Sequence, residues 1–253
     1  MRRIIIALSA VCLVLMAASA WAAVDDAYSV DLLHFDGGIT DEAGVSWSPV
    51  GNATSTASEK KFGTGALTLG GSEYLSADDS DDWAFGTGPF TIDCWIYVPY
   101  HIPLTRNFLS QTSWPGIICF YLNNKNKLQF SGGYAGEINL TDSNELPAEQ
   151  WVHVAVSRDG SDFRMFKNGE LVANASSASA MDDCSAIRYI GSDYFSGYID
   201  ELRVSKGIAR WTAPFTPPSA AYGEAEPAAV GGRLYLVEGG RINIGAGGRI
   251  NFK

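Results

Sequence analysis

The sequence predicts an all-β fold, a two-sheet antiparallel sandwich, and three observations carry the prediction. Short runs rich in Val, Ile, Leu, Phe, Trp and Tyr recur along the chain, and the longer ones alternate faces. Gly, Asn, Asp, Ser and Pro separate these runs as turns would. No long stretch downstream of the N-terminal segment shows the apolar period of an amphipathic helix.

Taken in order, Ala66-Leu67-Thr68-Leu69 is a first short strand. Phe90 to Val98 is a longer one. Phe90, Ile92, Cys94, Ile96 and Val98 share one face, because successive side chains point to opposite sides of a strand. Trp95 and Tyr97 fall on the other face, which predicts that this face too is at least partly covered. Residues 151–173 read as a three-stranded meander. Val152, Val154 and Val156 line one face, Asp159-Gly160 turns, and Phe163 to Lys167 returns. Asn168-Gly169 then turns into Glu170 to Ala173. Asn, Asp and Gly tolerate the positive φ that tight hairpins need. Tyr198 to Val204 is a further strand, and the proline-rich stretch Trp211 to Pro218 reads as the extended end of the domain.

Two segments fall outside this pattern. Arg2-Arg3, the apolar run Ile4 to Ala18 and the small-x-small triplet Ala20-Trp21-Ala22 read as a secretory leader cut after Ala22. The apolar run is short for a membrane span, and no second run of spanning length follows it, so no membrane span is expected after cleavage. At the other end, a Glu/Ala/Pro linker from Gly223 to Val230 leads into Gly-Gly-Arg units beginning at Gly231, Gly239 and Gly247. Repeats this short cannot bury a core alone. The tail is expected either to stay loose or to serve self-association or attachment through 231–253. The organisation is thus a leader at 1–22, a sandwich domain at 23–222, and a linker and repeat tail at 223–253.

The chain carries a net charge of −10, and cleavage after Ala22 removes two arginines, taking it to −12. An acidic, evenly decorated domain argues against nucleic acid and anionic lipid as partners and is compatible with cation binding. Export permits disulfides. Cys12 leaves with the leader, and the remaining Cys94, Cys119 and Cys184 allow at most one internal bridge. Cys94 and Cys119 lie in strand-like runs and are expected as buried free thiols. No zinc-type Cys/His spacing, His-Glu-x-x-His, P-loop or Gly-x-Ser-x-Gly elbow occurs.

Several phrases, in order, resemble the laminin G-like, concanavalin A-like lectin/glucanase superfamily. They are Leu32 to Gly37, Lys61 to Leu69 with Tyr74-Leu75-Ser76, and Asp82 to Ile92. They continue with Trp151-Val152-His153-Val154-Ala155, Asn168-Gly169, Gly197 to Val204, and Ala209 to Thr212 with Phe215 to Pro218. The resemblance implies a jelly-roll arrangement of the two sheets, with the C-terminal repeats outside it. Glycosidases of this superfamily carry Glu-x-Asp-x-x-Glu on one strand, which sets paired carboxylates side by side. No strand here has that pattern. Asp93 stands alone, and Asp200 and Glu201, as neighbours, are expected on opposite faces. The chain is therefore expected not to be an enzyme.

The resemblance also makes structural Ca2+ the candidate cofactor, with Asp36 and Asp200 as candidate ligands. Calcium takes six to eight oxygens, so a turn role for Asp36 and a backbone-pairing role for Asp200 stand beside that reading. The acidic run Asp78-Asp79-Ser80-Asp81-Asp82 lacks EF-hand spacing and reads as a solvated loop. For sugar binding, Trp114 and Tyr134 are candidate stacking residues in loops, and Asn123 and Asn124 are candidate amides. Each also reads as an ordinary packing or turn residue. The expected function is an exported, non-catalytic binding module directed at a glycan or another cell-surface or extracellular partner. Its expected location is the periplasm, the cell surface or the medium. A structural or adhesion role mediated by the repeats is the alternative, and a glycoside hydrolase is the weakest.

Overall fold

The computed structural model describes residues 27–113, 116–181 and 183–223. The leader at 1–22, the repeats of the tail and Trp114 lie outside the described residues. The strands are β1 (Ser29–Leu33), β2 (Ser48–Val50), β3 (Thr54–Thr56), β4 (Ala66–Gly70), β5 (Tyr74–Ala77), β6 (Phe90–Tyr97), β7 (Arg106–Ser113), β8 (Gly116–Leu122), β9 (Lys127–Tyr134), β10 (Ile138–Glu145), β11 (Trp151–Asp159), β12 (Asp162–Lys167), β13 (Glu170–Ser176), β14 (Arg188–Ser192) and β15 (Ser196–Lys206). The first sheet runs β13-β12-β11-β6-β15-β4-β3, with β1 also on β15. The second runs β10-β9-β8-β7-β14-β5-β2. Among the described residues no helix is long and apolar enough to cross a membrane.

The alternation in β6 sets the core. Ile92 lies opposite Val156 and Val204, and Ile96 lies opposite Val152 and Ile199. That face meets the second sheet through a chain of rings. Phe90 stacks on Phe85 at 4.5 Å and meets Phe130 and Phe163 at 6.4 and 6.2 Å. Phe120 then meets Phe108 at 4.7 Å. Cys94 and Cys119 are buried free thiols, and Cys184 is buried.

The meander forms as its turn residues dictate, with one shift. Asn168 and Gly169 sit at φ 49° and 78°, as a two-residue hairpin turn with two positive φ angles requires. Asp159 still pairs with Asp162, so the β11–β12 turn is Gly160-Ser161 rather than Asp159-Gly160. In β15 the register slips between Asp200 and Arg203, and Glu201 takes φ 51°. This bulge lets one strand serve two partners: Ser196 to Ile199 pair with β4, and Leu202 to Ser205 with β1. It also overturns the expectation that Asp200 and Glu201 point to opposite faces. The left-handed residue breaks the alternation, and both buried carboxylates face backbone N–H groups of neighbouring segments.

The outer face of the first sheet is covered. Trp95 lies under Phe62 in an edge contact at 5.8 Å, with Lys61 Nζ 4.0 Å from its ring. Beside it, the segment 208–222 crosses the sheet. Trp211 and Phe215 stack at 4.0 Å over His153, and Phe215 meets Phe166 at 5.3 Å. Ser157 Oγ donates to the Trp211 carbonyl at 2.6 Å. Gly169 receives the segment closely: a Cβ there would stand 1.9 Å from the Phe215 carbonyl oxygen. The Trp211–Pro218 stretch is therefore a strap as well as an end.

Beneath the strap lies a buried polar network. Arg203 donates Nε and Nη2 to the two oxygens of Asp93 at 3.2 and 3.1 Å. Its guanidinium lies 4.0 Å from the Tyr222 ring, and His153 Nε2 lies 3.1 Å from Tyr222 Oη. Burial opposes ionisation of Asp93, but the charge of Arg203 and the contact with His153 override it and hold its pKa at about 2.

Candidate functional site

The outer face of the second sheet carries a cleft of about 540 Å³ over β5, β14 and β7. Two loops build most of it, and both read Gly-Ser-acid-Tyr. Gly71-Ser72-Glu73-Tyr74 enters β5, and Gly191-Ser192-Asp193-Tyr194 leaves β14. The two strands are antiparallel neighbours, so one chain end of each falls at the same end of the sheet. The loops then touch: a Cβ on Gly71 would lie 3.7 Å from the Tyr194 carbonyl oxygen.

Each loop fixes its own acid. Glu73 Oε2 accepts from Gly70 N at 2.7 Å and from Ser72 N at 3.2 Å. These backbone bonds hold its carboxyl below the usual range. Asp193 Oδ2 accepts from Asn107 Nδ2 at 2.6 Å. Asp193 and Tyr194 both hold positive φ, 46° and 68°. Consecutive non-glycine residues rarely do so, and the turn leaves the Tyr194 side chain 60% exposed. Tyr74 and Tyr189 meet edge to face at 5.5 Å on the floor. Ser110 Oγ and Ser192 Oγ lie 3.4 Å apart. Asn107 is 9% exposed, and its Oδ1 has no hydrogen-bond partner among the described residues.

Rings, hydroxyls, an amide and two carboxyl groups on a shallow wall suit a hydroxyl-rich ligand. Aromatic rings take the apolar ring face, and fixed acceptors take hydroxyl protons. A glycosidase needs one carboxyl kept protonated. Glu73 is pushed the other way.

Of the residues singled out from sequence, Tyr134 closes β9 and is 55% exposed, opposite Gly116. Asn123 spends its side chain on the β8–β9 turn. Its Oδ1 accepts from Lys125 N at 2.9 Å and Lys127 N at 3.1 Å, and Nδ2 donates to Gln129. Asn124 is exposed in the same turn. The structure puts Tyr134 at one end of β8 and Asn123 and Asn124 at the other, and none of the three lines the cleft.

Asp36 and Asp200 do converge, on the loop 61–65. Asp36 Oδ1 accepts from Thr64 N, from Thr64 Oγ1 at 3.1 Å and from Gly65 N at 3.0 Å. Asp200 Oδ2 accepts from Lys61 N at 2.7 Å and Phe62 N at 3.1 Å, and its Oδ1 accepts from Glu201 N at 2.9 Å. Burial raises the Asp200 pKa to about 7. Nearby, His34 Nδ1 lies 2.8 Å from Glu201 Oε2. The two aspartates fasten a loop through N–H donors, and they do not by themselves assemble the oxygen shell that calcium takes. Among the described residues no group of three or more His, Cys, Asp or Glu is placed to hold a metal ion.

The sequence reading missed the cleft. The signal was present in the repeated Gly-Ser-acid-Tyr word, but its copies lie 120 residues apart and only strand pairing joins them.

A family model described as the concanavalin A-like lectin/glucanases superfamily matches residues 69–210. No curated protein gives a significant match. Among solved structures, domain 4 of AbnA, an extracellular GH43 arabinanase from Geobacillus stearothermophilus solved with arabinotriose, is similar with a TM-score of 0.59 and 17% identity. That match covers 72% of this chain and 94% of that domain. The binding domain of Paraclostridial Mosquitocidal Protein 1 aligns with a TM-score of 0.61 at 14% identity, over 72% of this chain and 49% of that one. A structure of botulinum neurotoxin type C, whose cell entry depends upon interaction with two ganglioside molecules, aligns at 0.59 and 12%, over 72% and 48%. The chain spans about half the length of these two toxin chains. At such identities the likeness is one of fold.

Proposed function

This chain belongs to the concanavalin A-like lectin/glucanase superfamily, and on that footing we propose that it is a non-catalytic carbohydrate-binding module whose glycan sits in the cleft over β5, β14 and β7. The observation that carries the reading is the pair of Gly-Ser-acid-Tyr loops brought together there, with ring faces and fixed acceptors on one surface. The fold alone hosts several functions, so the site has to bear the argument. The arabinanase domain solved with arabinotriose and the ganglioside-dependent neurotoxin support it as analogy. The leader pattern supports export, which would place the module where polysaccharides and cell surfaces are met.

A glycan array with the full chain, read in calcium and again in chelator, tests this reading. Binding that is lost in Tyr189→Ala with an unchanged melting temperature supports the cleft. Binding that survives Tyr189→Ala moves the ligand elsewhere, and an array without signal removes the carbohydrate reading. A melting temperature that falls in chelator, and no longer does so in Asp36→Asn, would give Asp36 and Asp200 a calcium role beyond fastening the loop.

A further inference from the structure

We propose that the outer face of the second sheet is a continuous site for an uncharged, extended glycan chain, and that it discriminates against acidic glycans. This rests on reading the cleft as a glycan site. The register aligns Ser76, Tyr189, Ser110, Cys119, Ser131 and Asn139 side by side on six successive strands, from β5 to β10. At the spacing of paired strands the row extends for about 24 Å. That exceeds the cleft and is long enough for several sugar rings. A second row beside it holds Asn107, Tyr121, Gln129 and Thr141. Neither row contains an Asp, Glu, Lys or Arg.

The groups are also oriented by one another. Tyr121 Oη lies 3.2 Å from Ser131 Oγ, and Gln129 Nε2 donates to Asn139 Oδ1 at 3.0 Å. Hydroxyls and amides offer both donors and acceptors, as sugar hydroxyls require. The charges lie at the margins. At the cleft end both are carboxylates, Glu73 and Asp193, each already tied in place. Lys127 lies one outward position beyond Gln129, at the β8–β9 turn, with Nζ donated to the Ser143 carbonyl. An acidic sugar entering the cleft meets two like charges and no cation among the lining residues.

The test is calorimetric titration of the full chain with neutral arabino-, xylo- and cello-oligosaccharides of increasing length, against oligogalacturonates of matched length and sialyllactose. Affinity for a neutral series is expected to rise with length until the row is filled. The acidic probes are expected to bind weaker by about tenfold or more, the order that one nearby like charge imposes at a surface. The double variant Glu73→Gln, Asp193→Asn should shift the neutral-to-acidic ratio by about tenfold toward the acidic series. Asn139→Asp, on exposed β10, should weaken the longer neutral oligomers and leave trimers unchanged. Binding that Tyr189→Ala abolishes but that ignores length and charge overturns this inference and keeps the cleft. Binding to none of the probes or to any array glycan overturns both.

Discussion

The two outer faces of this sandwich are opposites. On the first sheet, β6, β11 and β15 present Asp93, His153 and Arg203, all buried beneath the strap at 208–222. On the second sheet, β14, β7, β8 and β9 present Tyr189, Ser110, Cys119 and Ser131, with a cleft above the first two. The same strand geometry carries both. What differs is what the outward positions were given. Charged groups that must be paired when buried commit a face to a fixed cover. Uncharged hydroxyls and half-buried rings leave a face that can be wetted or occupied at little cost. The covered face thus serves stability, and the open one is where the proposed glycan would lie.

The largest break in this comparison comes from Arg203→Ala. It leaves Asp93 buried without its main counter-charge, a change that costs about 3–5 kcal/mol when a buried pair loses one partner. Urea unfolding should show that loss, while the folded fraction keeps its glycan affinity. Equal stability of variant and parent would mean that the strap is not held by this network.

Next comes pH. Burial, together with the charge of Asp41, raises the Asp31 pKa to about 8, and burial raises Asp200 to about 7. Unfolded carboxyls titrate near about 4. The folded state therefore holds extra protons between these values, and the contribution is full below about pH 4 and lost as pH rises through 7 to 8. Asp93, at about 2, works oppositely: its contribution is present above about pH 4 and fades toward 2. Melting temperature should fall between pH 5 and pH 8 by a margin worth a few kcal/mol, and Asp31→Asn should flatten the slope. A profile that is flat or rising in the parent would refute this account of Asp31.

The covered face was more legible in sequence than the open one, for a physical reason. Strands buried on both sides advertise themselves: β6 and β11 alternate, with Ile92 and Ile96 or Val152, Val154 and Val156 on one face and a Trp or His on the second. Trp95 and Tyr97 already called for a cover, and the Trp211–Pro218 stretch supplies part of one. β7 and β9 interrupt their apolar residues with Asn, Ser, Gln, Thr and Gly, so they resemble loops. β7 also slips register between Asn107 and Leu109, which destroys its alternation. In sequence Tyr134 accordingly reads as a loop residue, although it ends a strand. The cleft was harder still, because Tyr74 and Tyr189 lie 115 positions apart and become neighbours only through strand pairing.

On the open face, Tyr189→Ala should lower glycan affinity by about 2 kcal/mol, the scale of an aromatic anchor, or roughly thirtyfold. Thermal stability should change far less than in Arg203→Ala, since the ring is half-buried at the floor of a cleft rather than packed in the core. A stability loss matching that of Arg203→Ala would erase the distinction between the two faces.

The smallest effect is a difference in thiol reactivity. Cys94 points into the core from the covered sheet and is 1% exposed, whereas Cys119 lies in the uncharged row and is 9% exposed. Burial raises both thiol pKa values, Cys119 to about 12 and Cys94 well above its ordinary range, so neither is a ready thiolate at neutral pH. Slow alkylation with iodoacetamide, followed by peptide mass spectrometry, should nevertheless modify Cys119 before Cys94. Cys94 is expected to open only with the whole fold, and Cys119 with local opening of the second sheet. A bound neutral oligosaccharide that spans the row should slow labelling of Cys119 and leave Cys94 unaffected beyond the general stabilisation that ligand binding confers. Equal labelling rates, or equal protection of both thiols, would mean that the two faces open together and that the row across β5 to β10 is not where the chain lies.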